Sequence, residues 1–239
     1  MKTQVAIIGA SPTRRYAPWA DDNWTFLAIN EIAQPRYDIH FELHPRRVQS
    51  AQDLAWLAQC TAPCYVLDPG EWAEGEIPQP VRFPLEWILE VTGGRRYFTC
   101  TFAMQIAWAL AEGYTEIGLW GIDLDLGTHR ERLVEKPCVE YWLGLAEGRG
   151  VKLTLPREST MLHRPYVYGL DYENEKANIE RVVTDFGIGS WWTDILDRLA
   201  FDVQGDVGKA EAHYLRLARA IRGAADAARA MDRARRGDA

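Results

Sequence analysis

No apolar stretch in these 239 residues approaches the roughly 20 that a membrane-spanning helix needs. The opening run, residues 5 to 8, is also too short for the core of a signal peptide. The expected location is therefore the cytoplasm, with no membrane partner. Cysteine is scarce: Cys60, Cys64, Cys100 and Cys138 are scattered. Cys60 and Cys64 form a C-x3-C pair, but no second pair or histidine cluster completes a zinc site, so buried thiols of a reducing compartment are expected. Basic charge is in deficit as well, 27 Lys and Arg against 34 Asp and Glu, for a net charge of −7. That argues against a general polyanion-binding surface while leaving room for a local basic patch. G-x-G-x-x-G and the P-loop with its lysine are both missing, and no internal repeat or low-complexity linker is found.

What remains is an ordinary globular composition, 47% hydrophobic and 26% charged, in a chain long enough for one α/β domain with a helical appendage. Residues 2 to 9 read as a fully buried strand closed by Gly9, the usual opening of a parallel sheet. Residues 24 to 30, 37 to 44 and 64 to 67 form further strands, with a short helix capped at Ser50 before the last of them. Residues 68 to 84 carry four prolines and two glycines and read as a surface excursion. Residues 101 to 112 form a helix stopped at Gly113, followed by a strand over 116 to 121. A helix over 139 to 147 then leads to a strand over 151 to 155. This alternation predicts a Rossmann-like α/β domain over residues 1 to 170, with a mostly parallel sheet and helices on both faces. Residues 171 to 239 read as a C-terminal helical extension without strands. Between Lys209 and Ala239 it holds eight basic and four acidic residues. A solvated helix over 206 to 236, packing on the body or on a second subunit, is the expectation; a nucleic-acid contact is the alternative.

The residues able to carry chemistry stand at strand ends, where a parallel sheet opens onto its ligand crevice. Gly9 lets backbone approach a phosphate, and Ser11 adds a hydroxyl donor. Asn30 offers donor and acceptor to a ribose or base edge. His44 begins a His-Pro-Arg-Arg segment that suits phosphate binding or proton transfer. Thr99, Cys100 and Thr101 open the 101–112 helix, where either threonine can cap and the free N–H groups favour an anion. Asp123 and Asp125 resemble the D-x-D pair that holds Mg²⁺ or Mn²⁺ against a diphosphate; Asp123 alone could instead accept from a sugar hydroxyl or orient a neighbouring loop. His129 is a candidate general base.

Gly9-x-Ser11-Pro12, Asn30, Thr99-Cys100-Thr101-x-x-Met104 and Glu112-Gly113-Tyr114-x-Glu116-Ile117-x-Leu119-x-Gly121-Ile122-Asp123 form a series over residues 4 to 170. The series resembles the superfamily of bacterial Rossmann-like sialyltransferases and 6-hydroxymethylpterin diphosphokinase-like proteins. It is most similar to a poorly characterised group of tailed-phage proteins, through Ala17-Pro18-Trp19-Ala20-Asp21-Asp22-x-Trp24, Phe41-Glu42-Leu43-His44 and Tyr168-Gly169-Leu170. The resemblance implies that Gly9, Ser11 and Asn30 line a donor nucleotide and that Asp123 faces the nucleotide or sugar. Thr99 and Cys100 stand where those enzymes carry Thr-Ser. Two departures are evident. The family's catalytic histidine falls here near Leu133, with only His129 close, and the first-loop glycine run is reduced to one Gly and an Ala.

Three functions follow as expectations. The first is a transferase, glycosyltransferase-like, using a nucleotide or nucleotide-sugar donor, with His129 or His44 as base and a saccharide, metabolite or DNA base as acceptor. The second is a diphosphokinase-like enzyme using ATP, with Asp123 and Asp125 as metal ligands. The third is a non-catalytic nucleotide-binding or sequestering phage protein. A homo-oligomer formed through the C-terminal helix is the expected assembly.

Overall fold

The computed structural model describes residues 2–29, 34–126, 128, 130–163 and 167–171. The chain divides into two compact units, Met1–Pro165 and Tyr166–Ala239. In the second, the described residues form a turn in which Leu170 and Asp171 N–H both donate to Val167 O. The helical extension expected over 206 to 236 lies outside the described residues.

The first unit is a seven-stranded sheet, parallel throughout: β1 (Gln4–Ile8), β2 (Trp24–Ile29), β3 (Ile39–Phe41), β4 (Cys64–Val66), β5 (Pro80–Arg82), β6 (Glu116–Trp120) and β7 (Lys152–Thr154). The strand order is β5-β4-β3-β2-β1-β6-β7. β1 lies inside the sheet between β2 and β6, with Val5 to Ile8 fully buried, which is why its sequence is apolar on both faces. The chain winds outward from β1 to β5, then returns through α2 (Leu85–Thr92) and α3 (Thr101–Ala111) to lay β6 on β1's other side. Such a reversal opens a crevice at the carboxyl ends of the two strands.

One face of the sheet (Val5, Ile7, Leu27, Phe41, Ile117, Leu119) packs against α2, α3 and α4 (Lys136–Gly148). Trp142 anchors this layer, with its Nε1 donating to Tyr97 O at 2.7 Å and its ring stacked on Phe98. The other face carries Ala6, Ile8, Trp24, Phe26 and Trp120, packed with Ala17 and Trp19 of the chain leaving β1. Further out on that face, Leu57 of α1 (Ala51–Leu57) packs with Cys60, Cys64 and Val66. Helices therefore cover both faces.

Three local expectations need correction. The 68–84 excursion ends in β5, a three-residue strand whose Pro80 is tolerated because β5 is at the sheet edge. Residues 85 to 92, for which no element is expected, form α2, with Ile88 buried. The helix expected over 139 to 147 starts earlier, behind a π-helical turn over Glu131–Glu135.

Candidate functional site

Where β1 and β6 part, two glycines let their loops touch. A Cβ on Gly9 would collide with Gly121 O, and a Cβ on Gly121, which sits at φ +73, would lie 2.5 Å from Gly9 O. Gly9 N–H donates to Trp120 O at 2.8 Å and Ser11 N–H to Gly121 O at 2.9 Å. Thr13, in the 3-10 turn Pro12–Tyr16, joins the loops a second time. Its Oγ1 accepts from Gly121 N–H at 2.9 Å and donates to Asp123 Oδ2 at 2.5 Å. Asp123 is 2% exposed, and its Oδ1 has no hydrogen-bond partner among the described residues. Sequence reasoning places Asp123 at the crevice but misses Thr13, whose signal is a strand-end aspartate in need of a donor.

A second group of side chains lies two strands away, at the carboxyl end of β3. Glu42, 4% exposed, accepts through Oε1 from both the backbone N–H (3.1 Å) and the ring Nδ1 (2.8 Å) of half-exposed His44. An ionised carboxylate only accepts, so the ring proton sits on Nδ1 and Nε2 is left as the acceptor. The Glu42 hydrogen bond raises the His44 pKa above the usual imidazole value; partial burial and the Arg130 charge oppose it. Glu135, at the end of the π-helical turn, pairs with Arg130 at 3.1 Å. Burial nonetheless raises the Glu135 carboxyl pKa, against the opposing charges of Arg130 and His44. Glu42, Arg130 and Glu135 are absent from the sequence-based site; the spacing Glu42-x-His44 is the available signal, since alternate residues share a strand face.

The N-terminus of α3 reaches this second group. Thr99 Oγ1 donates to Val134 O at 3.1 Å, tying the helix start to the π-helical turn. Neither threonine caps: Cys100 is the N-cap residue, with no side-chain cap bond. Burial pushes the Cys100 thiol up to about 12, with Glu135 adding to the shift. The thiol is therefore neutral at physiological pH.

The two carboxylates expected to hold a divalent cation take different partners. Asp123 is engaged by Thr13, whereas Asp125 receives the ammonium of Lys136 at 2.6 Å, a lysine 1% exposed that also donates to Thr160 O. An ammonium on one of the two ligands competes directly with a cation. Among the described residues no group of three or more His, Cys, Asp or Glu side chains forms a metal set. The two carboxylates of the D-x-D pair are thus held by different partners and do not share one. Cys60 and Cys64, expected as buried free thiols, are both buried and free. Asn30 and His129 lie outside the described residues.

Among the described residues no helix is long and apolar enough to cross a membrane. No family model and no curated protein matches the chain. Solved structures are similar to it at low identity. The Campylobacter jejuni sialyltransferase CstII, in complex with cytidine-5'-monophosphate, is similar at 15% identity and a TM-score of 0.48, covering 69% of this chain and 88% of that one. CstII with a trisaccharide acceptor and CMP gives 14% identity and a TM-score of 0.46, over 69% and 89% of the two chains. The apo α-2,3-sialyltransferase of the same organism gives 15% and 0.44, over 71% and 81%.

Proposed function

We propose that this chain is a transferase that moves a glycosyl group from a nucleotide-linked donor, with His44 as the general base. The observation that carries the reading is the Glu42–His44 pair at the carboxyl edge of a parallel sheet, two strands from the Gly9–Ser11 loop. Two strand spacings are about 10 Å, within the span of one nucleotide-sugar. The leaving nucleotide rests against Gly9 and Ser11, and the N-terminal dipole of α3 at Thr99–Thr101 favours its negative charge. The acceptor hydroxyl gives its proton to His44 Nε2 while its oxygen bonds to the anomeric carbon. The bond from that carbon to the donor's phosphate oxygen breaks, and its electron pair leaves with the nucleotide. Glu42 holds the ring in the productive tautomer and stabilises the imidazolium that forms. The carboxylates that a cation-dependent diphosphokinase would use are engaged by Thr13 and Lys136, so the metal-free transferase is the better-supported reading.

The test is a panel of nucleotide-sugars, with CMP and ATP included, read first by thermal shift and then by release of free nucleotide. A ligand at 100 times its Kd raises apparent stability by about 2.7 kcal/mol. His44→Asn should lower turnover by roughly 10²- to 10⁴-fold while leaving donor binding intact. Turnover should rise with pH through a value above about 6.5, because the base must be neutral to act. Full turnover in His44→Asn overturns the assignment of the base. Tight binding without turnover of any donor makes the protein a nucleotide-binding module instead.

A further inference from the structure

Away from the crevice, the outer part of the sheet buries two thiols together. Cys60 follows α1 and Cys64 opens β4; they are 1% and 0% exposed, in one apolar cluster with Leu57, Ala62 and Val66. The C-x3-C spacing lets the chain turn through Ala62 and Pro63 so that the two thiols hydrogen-bond to each other. The backbone around the turn is pinned on each side. Cys60 N–H donates to Leu57 O at 3.0 Å, Cys64 N–H to Gln79 O at 2.9 Å, and His40 N–H to Pro63 O at 2.9 Å.

The two sulfurs are not equivalent. As a thiol, Cys60 donates to Ala62 O at 3.6 Å. As a thiolate it accepts from the Cys64 thiol, the Ala62 N–H and the Tyr37 hydroxyl. The Cys64 hydrogen bond is the largest of these effects, and together they hold the Cys60 thiol below the usual range against its burial. The same hydrogen bond, with burial and the Glu42 charge, pushes the Cys64 thiol up. One sulfur is thus set to ionise and the other to keep its proton, and the thiolate is the nucleophile. The remaining thiols are held differently. Cys138 gives its S–H to Tyr97 O at 3.2 Å, and Cys100 is kept neutral by burial.

We propose that Cys60 and Cys64 form a peroxide-sensitive pair, Cys60 the attacking thiol and Cys64 the resolving one. The Cys60 thiolate attacks one oxygen of hydrogen peroxide, the O–O bond breaks, and the leaving hydroxide takes up a proton to become water. Cys60 is then a sulfenic acid. The Cys64 sulfur attacks the Cys60 sulfur, the S–O bond breaks, and hydroxide leaves as water with the Cys64 proton. Two thiols and one peroxide become one disulfide and two waters, sulfur being oxidised and peroxide reduced. Access needs only a small local opening, since Gln59 and Thr61 on either side of Cys60 are exposed. None of these steps uses His44 or a nucleotide donor, so the pair is independent of the transferase reading.

The folded protein is treated with equimolar hydrogen peroxide, alkylated with N-ethylmaleimide, digested with trypsin and weighed by mass spectrometry. Cleavage after Arg47 and Arg82 puts Cys60 and Cys64 in one peptide, residues 48–82, apart from Cys100 and Cys138. That peptide should appear unalkylated and lighter by two hydrogens, forming about tenfold faster than Cys100 or Cys138 reacts. Dithiothreitol should restore both thiols. In Cys64→Ser the sulfenic acid has no resolving partner, so dimedone should label Cys60; in Cys60→Ala, Cys64 should stay a thiol. The proposal is overturned if peptide 48–82 stays reduced in the wild-type protein, or if Cys60 passes to a sulfinic acid without a disulfide. Dimedone labelling of Cys64 in Cys60→Ala, with none of Cys60 in Cys64→Ser, overturns the assigned roles.

Discussion

His40 and His44 lie four residues apart on one strand and its extension, yet their environments push them in opposite directions. His40 is completely buried against Tyr37 and Trp56, and neither ring nitrogen has a hydrogen-bond partner among the described residues. Burial lowers its pKa to about 4, with the Glu42 charge opposing. The folded protein therefore keeps His40 neutral while the unfolded chain takes up a proton below about 6.5. Stability is intact above about 6.5, falls as pH drops toward 4, and loses on the order of 3 kcal/mol there. For His44 the sign reverses. Its folded pKa is raised, so its contribution is complete below about 6.5 and is lost as pH rises through the folded value. His40→Leu, which fills similar volume without a titrating group, should remove the acid limb. Urea melts at pH 7, 5 and 4 should show a smaller loss for the variant; an unchanged loss would assign the acid sensitivity elsewhere.

At the scale of elements, the crossing of the β1 and β6 loops is the most constrained contact of the crevice. Gly113 and Gly121 both have φ near +80°, at +82 and +73, but a Cβ on Gly113 meets nothing within 4 Å. Gly113→Ala should therefore cost only the left-handed backbone penalty, about 1–2 kcal/mol. Gly121→Ala meets the same penalty plus a collision with Gly9 O, and should cost clearly more. Denaturant titration of the two variants in parallel checks this, and equal losses would show that the loops can part freely. Thr13 belongs to the same junction, since it bonds both Gly121 N–H and Asp123. Asp123 stands three residues past the end of β6. Its bond to Thr13, 110 residues away, depends on β1 and β6 becoming neighbours, which no local spacing announces. The missed α2 has a different cause: its cap is Pro84 without a side-chain bond, so no start signal marks it.

For the whole molecule, the open question of architecture is what the basic tail does on an acidic chain. Read as a helix, residues 206 to 236 would carry Leu217, Ile221 and Met231 on one narrow apolar stripe. A helix of about 30 residues with so little apolar surface is marginal in water unless it packs on something. Truncation before Asp206 should therefore lower the melting temperature or shift the mass in solution, read by light scattering after gel filtration. Nucleotide binding should persist. Unchanged mass and melting temperature would make the tail a free arm and favour nucleic acid as the partner of its arginines.

The amino-acid sequence by itself determined β1, β2 and β6, because a parallel strand covered on both faces must be a short continuous apolar run; the edge strand β5 is not one. It also put Gly9, His44 and Asp123 just beyond Ile8, Phe41 and Trp120, since polar side chains concentrate where the buried run stops; the strand expected over 37 to 44 is only Ile39–Phe41. The Ser50–Asp53 capping box was equally legible, both partners lying within one turn. Tertiary structure alone decided the rest. Strand order made β1 and β6 neighbours and gave Asp123 to Thr13. It set Trp19 on Phe26. The reason is physical: burial and hydrophobic period are properties of a segment, whereas the partner of a charge is chosen from whatever the fold brings within a few ångströms.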